Sequence, residues 1–194
     1  MRFFTLLIVV LCSTCQLLIA EENPVPRLEQ TMNAALDLIF LPEHADKSQD
    51  VRADLVRATV EEQFDLGVLI RRTFGRNWQQ VDEANQARVS EQVKQLLVFA
   101  FVEGMVGKSR PVITFGAPEF LSSKRIEVAS KIIVDEQIYQ LTYRFGRLES
   151  GWQIYDILAE GISMVANYRQ QIDDHFRNNN AHSLMEKLDA LLND

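Results

Sequence analysis

Asp156 stands between Tyr155 and Ile157, inside a stretch from Trp152 to Leu158 that otherwise reads as a buried strand. A carboxylate held among apolar side chains can have a raised pKa and serve as a general base. Tyr143 or Tyr155 would then be the proton donor. The simpler reading is structural: Asp156 pairs with a basic side chain, Arg169 being a candidate, or holds the start of the helix that follows. Ser163 and His175 could join an aspartate in a nucleophilic triad. However, Gly161-Ile162-Ser163 lacks the second glycine of a nucleophile elbow, because position 165 is Val. Asp173-Asp174-His175 offers metal-ligand types, but adjacent helical residues point about 100° apart and cannot all face one ion. The other histidines are His44 and His182. The chain has no phosphate-cradling glycine loop followed by lysine and no paired-histidine zinc motif. The expectation is a protein that is not an enzyme and has no metal and no cofactor.

The elements that would position these residues follow from periodicity. Val25, Leu28, Met32, Leu36 and Ile39 recur at helical spacing behind Pro24. Ser48 or Asp50 can cap a second helix through Phe64. A third carries Leu66 to Phe74 and stops at Gly75. Asp82 caps a long helix with the stripe Val89, Val93, Leu96, Leu97, Ala100, Phe101 and Met105. The period then shifts toward two. Strands are expected at Val112–Phe115, from Ile126 to Val134, from Ile138 to Phe145 and from Trp152 to Leu158. Asp135-Glu136 and Glu149-Ser150-Gly151 form the turns. Helical spacing returns from Ile162 to Phe176, and a last helix uses Leu184, Leu188 and Leu191. This order predicts an α+β domain with helices on one face of a twisted, mainly antiparallel four-stranded sheet.

The chain has 194 residues, 47% of them hydrophobic and 24% charged, which suits one globular domain. With 20 basic and 27 acidic residues the net charge is −7, which argues against nucleic acid as a partner. Met1-Arg2 followed by the apolar run Phe3 to Leu11 has the form of a secretory signal. Cleavage is expected after Ala20, or after Cys15. An uncleaved anchor is the alternative, since the stretch approaches the ~20 residues of a membrane span. Leu11 before Cys12 and Thr14 before Cys15 fit a lipoprotein site poorly. The expected organisation is a leader over 1–20 and one domain over 21–194. Cys12 and Cys15 are the only cysteines, so the domain lacks thiol chemistry.

Two blocks carry a family resemblance. The first is Phe64-Asp65-Leu66 leading into Arg71-Arg72-Thr73-Phe74-Gly75-Arg76-Asn77-Trp78, with Gln95-Leu96-Leu97 beyond it. The second, more specific, is Gly151-Trp152-Gln153-Ile154-Tyr155-Asp156-Ile157, then Glu160-Gly161-Ile162-Ser163 and Asn167-Tyr168-Arg169. Together they resemble the MlaC family of periplasmic phospholipid-binding proteins, also called toluene-tolerance proteins, over nearly the whole domain. Phe101 stands where the family would suggest Tyr, and Gln153 where Lys is commoner. The resemblance implies a monomeric periplasmic carrier whose apolar cavity takes the acyl chains of a phospholipid. Its implied partners are an inner-membrane ABC transporter complex and an outer-membrane lipoprotein complex. Phe101, Ile133, Leu141, Tyr143, Trp152 and Val165 are the expected lipid contacts. Strand faces decide that choice, and a slip of one residue inverts them.

Overall fold

The computed structural model describes residues 23–193. The expected leader over 1–20 and its cleavage site lie outside the described residues. Four helices come first: α1 (Val25–Phe40), α2 (Gln49–Glu61), α3 (Leu66–Phe74) and α4 (Glu83–Glu103). Short polar side chains set their starts. The Ser48 hydroxyl accepts from the Val51 N–H at 3.3 Å, Asp65 from Gly67 at 2.8 Å, and Asp82 from Asn85 at 3.0 Å. Gly75, at φ +54°, ends α3 in a backbone state that only glycine adopts cheaply. The polar break after α1 holds a single 3₁₀ turn, Pro42–His44.

Six strands follow: β1 (Val112–Phe115), β2 (Glu119–Ser122), β3 (Arg125–Val134), β4 (Gln137–Leu148), β5 (Gly151–Ala159) and β6 (Ile162–Ser163). Every pairing is antiparallel, in the order β1-β3-β4-β5-β6 with β2 also on β3. β1 pairs with the second half of β3 and β2 with the first, so the two lie end to end along one edge. The expected four strands are therefore six. Glu119–Ser122 shows no alternation, all four residues being exposed, and Ile162–Ser163 is only two residues long. Ile162, expected to open a helix, pairs instead with Ala159. The helix proper is α5 (Met164–Asn178), and α6 (Ala181–Asn193) closes the described chain.

Alternation sorts the sheet into two faces. Ile126, Val128, Tyr143 and Phe145 are buried beneath α1 together with Leu28, Phe64 and Trp152. A second cluster joins α3, α4 and α6 through Ile70, Phe74, Val89, Leu184 and Leu188. A third joins α1, α2 and α4 through Ala35, Val56, Val98 and Val102. Each fully buried Leu, Ile or Phe stabilises the fold by about 1.5–3 kcal/mol. The three clusters are separate, and the space between the first and third is not filled.

Candidate functional site

That space is an apolar pocket of about 300 Å³. Its helical wall comes from Met32 and Ala35 of α1, Val56 and Val60 of α2, Leu66, Leu69 and Thr73 of α3, and Leu97, Val98 and Phe101 of α4. Its floor is Tyr143 of β4 and Ile157 of β5, paired across the strands. Met164, Val165 and Tyr168 at the start of α5 complete it. Tyr168, at 43% exposure, is the most exposed lining side chain and marks where the pocket meets solvent. A larger cleft of about 420 Å³ lies between α2, α4 and α6. Asp50, Asp54 and Arg57 line it, so it suits water rather than hydrocarbon.

Of the six contacts expected from the sequence, Phe101, Tyr143 and Val165 line the pocket. The other three lie elsewhere. Ile133 is 38% exposed because its neighbour Ile132 takes the inner face. Leu141 packs against the α1–sheet cluster. Trp152 is buried in that same cluster, opposite Arg147 near the end of the sheet. Apart from Phe101, the helical wall went unrecognised, since an apolar stripe looks the same against a filled or an unfilled space.

Tyr143 is the pocket's one titratable floor residue. Burial pushes its phenol up to about 12, partly offset by a hydrogen bond with Ser130. The folded state therefore resists ionisation that the unfolded chain undergoes near pH 10. This stability is complete below pH 10 and is lost as pH rises toward 12. Denaturant titrations across that window should show a fall on the order of 3 kcal/mol. In Tyr143→Phe most of this fall should vanish.

Asp156 lies on the opposite face from Tyr143: the adjacent register pairs are Tyr143–Ile157 and Arg144–Asp156. The base and donor of a catalytic pair are thus not brought together. Tyr155 is no closer to such a role, since its ring lies under the Arg72 guanidinium at 4.5 Å. Asp156 is only 6% exposed and its acceptor sites are taken. The Ser163 hydroxyl donates to both carboxylate oxygens, at 3.0 and 2.8 Å, and the Val165 N–H donates at 3.3 Å. Arg144 Nη1 donates at 3.3 Å while its Nε donates to Glu127 at 2.7 Å. Ser163 in turn caps α5 through the Ala166 N–H at 3.0 Å. The carboxylate fixes the beginning of the helix that carries Val165 and Tyr168. Its basic partner is Arg144 rather than Arg169, which instead donates to the Arg72 carbonyl.

The remaining candidates serve the scaffold. Ser163 and His175 are twelve residues apart along α5, about 18 Å, so they form no triad. His175 Nε2 lies 3.1 Å from the Asn180 carbonyl oxygen and joins α5 to α6. Asp173 accepts from the buried Asn77 amide at 2.5 Å. Among the described residues no three His, Cys, Asp or Glu side chains are grouped to hold a metal.

The architecture has known relatives. A family model described as MlaC protein matches residues 29–190. The chain belongs to the MlaC family. Among solved structures, it shares its fold with a phospholipid-binding protein from Ralstonia solanacearum, determined in complex with a phospholipid. The TM-score is 0.69 at 18% identity, covering 84% of this chain and 93% of that one. A domain of unknown function with a cystatin-like fold from Nostoc punctiforme overlaps 54% of this chain and 68% of its own, at 18% identity and a TM-score of 0.31. No curated protein sequence matches. Within this MlaC chain, the two departures from the family pattern have distinct places. Phe101 lines the pocket. Gln153 is buried and accepts from the Asp65 N–H at 2.8 Å, tying the start of α3 to β5.

Proposed function

We propose that this MlaC chain carries a phospholipid across the periplasm, holding acyl chain in the pocket between α1–α5 and the sheet. The observation that carries the reading is that pocket: about 300 Å³, apolar on every side, in a fold built from three separate cores. An apolar void of that size costs on the order of 7 kcal/mol relative to a filled one, as an upper bound for a pocket open to solvent. Hydrocarbon is the filling that recovers this. Each methylene kept from water contributes about 0.8 kcal/mol, so a bare lipid does not cross an aqueous layer unaided. A carrier exchanges one apolar surrounding for another, and no bond need be made or broken. The Ralstonia protein, with the same fold, was determined with a phospholipid bound. Delivery would run between an outer-membrane lipoprotein complex and an inner-membrane ABC transporter complex.

The pocket is small for two acyl chains, standing at the lower end of the ~300–1,000 Å³ that drug-sized ligands occupy. Loading therefore parts the helices from the sheet or leaves one chain outside. Native mass spectrometry of freshly exported protein tests the whole reading. The expected spectrum shows a chain beginning at Glu21 with one phospholipid bound. A ligand-free chain under all gentle conditions would sink lipid carriage, and an intact Met1–Ala20 segment would sink cleavage.

A further inference from the structure

Val98 lines two voids at once. On one side is the apolar pocket of about 300 Å³, on the other the cleft of about 420 Å³ between α2, α4 and α6. Among the described residues no other lines both. Helical spacing explains the position. Leu97 and Phe101 of α4 line the pocket, and Leu96 and Phe99 line the cleft. Val98 stands at the border of these two faces and is only 7% exposed. α2 divides in the same way: Val56 and Val60 line the pocket, Ala53 and Arg57 the cleft. Ala53, Val56 and Val98 belong to one buried cluster. The wall between the voids is therefore a single layer of small side chains.

The two sides of this wall differ in chemistry. The pocket side is apolar. The cleft side carries the exposed Asp54, ion-paired with Arg57 at 3.4 Å, so water reaches it. Beneath that pair the half-buried Leu96, Phe99 and Leu192 give the cleft an apolar floor. Hydrocarbon that passed Val98 would meet this floor first. The wall also lies away from the mouth. Tyr168 marks the mouth on α5, which packs on α3 and β5, whereas α2 and α4 pack on each other. An acyl chain entering beside Tyr168 therefore crosses the pocket before it meets the α2–α4 wall.

We propose that Val98 is the end stop of the pocket and sets the length of acyl chain that the pocket accepts. The inference rests on the lipid-carriage reading. A methylene given an apolar place favours binding about fourfold, and one held back by a fixed wall adds nothing. Val98→Ala strips both methyl groups from the wall, beside the already small Ala53, and opens the way to Leu96 and Phe99. Val98→Leu enlarges the wall and shortens the pocket. Competitive loading tests this. Exported protein is incubated with equal amounts of phosphatidylglycerols from dilauroyl to distearoyl, and bound lipid is read by native mass spectrometry. Val98→Ala should raise the distearoyl-to-dilauroyl ratio above the parent's by about fourfold for each methylene newly accommodated. Val98→Leu should lower it. Val102→Ala is the control, because Val102 shares the helix and the cluster but lines neither void. Its ratio should match the parent's. An unchanged or reversed ratio in a folded Val98 variant overturns the proposal, and if one variant fails to fold the other decides. An equal shift in Val102→Ala also overturns it, since a loosened core would then be the cause. A parent that loads no phospholipid defeats carriage itself, and the end stop with it.

Discussion

Val165→Trp is expected to strip bound phospholipid from the protein while the domain stays folded. Val165 is 7% exposed and its side chain borders the pocket opposite Tyr143 and Ile157. An indole there projects into the space that acyl chain would occupy. Displacing about four methylenes at ~0.8 kcal/mol each costs on the order of 3 kcal/mol of affinity, a factor of about one hundred. Overpacking costs the fold about 1–3 kcal/mol, less than a domain's usual stability. The backbone N–H of Val165, which donates to Asp156, is untouched by the change. Lipid extraction and quantification, with circular dichroism as the folding control, gives the answer. Unchanged lipid content in a folded variant would remove Val165 from the site.

Asp156→Asn should act through the opposite route, lowering stability and lipid retention together. The carboxylate collects the Ser163 hydroxyl, the Val165 N–H and the Arg144 guanidinium at one buried point. Breaking a buried pair by changing one partner costs roughly 3–5 kcal/mol. Arg144 keeps Glu127 as a partner, which puts the expected loss at the lower end. A loss of ~3 kcal/mol corresponds to a melting temperature lower by about 10 °C in a domain of this size. An Asp156 acting as a catalytic base would leave a stable protein with lost turnover. A variant as stable as the parent and still loaded with lipid would refute the structural role.

The sequence carried most of the scaffold because the scaffold is built from local signals. Asp82 caps the long helix as expected, Ser48 rather than Asp50 caps the second, and the alternation in β3 and β4 shows which residues face inward. Asp135 and Glu136, both at positive φ, make the two-residue turn that their position between strands implied. The pocket was harder to read because emptiness is not a local property. Met32 and Leu69 line it, yet their spacing matches that of Leu28 and Ile70, which are fully buried in the core. Ile133 illustrates the parity hazard: one step along β3 moves a side chain from the inner face to solvent. Trp152 has inward parity but lies too far along the sheet to reach the pocket. The partner of Asp156 needed the register between β4 and β5, which sits beside a bulge that no spacing rule reveals.

The divided edge of the sheet bears on how the β3 side resists pairing with a second chain. β3 would present ten residues of unpaired backbone if nothing covered it. It is covered by two short strands instead of one long one, with Gly116-Ala117-Pro118 between them. Pro118 has no N–H to offer a passing strand. The outermost border is therefore two stubs of four residues, each too short to template growth of a stacked sheet. Along this edge, resistance to strand addition is thus written into the strand lengths.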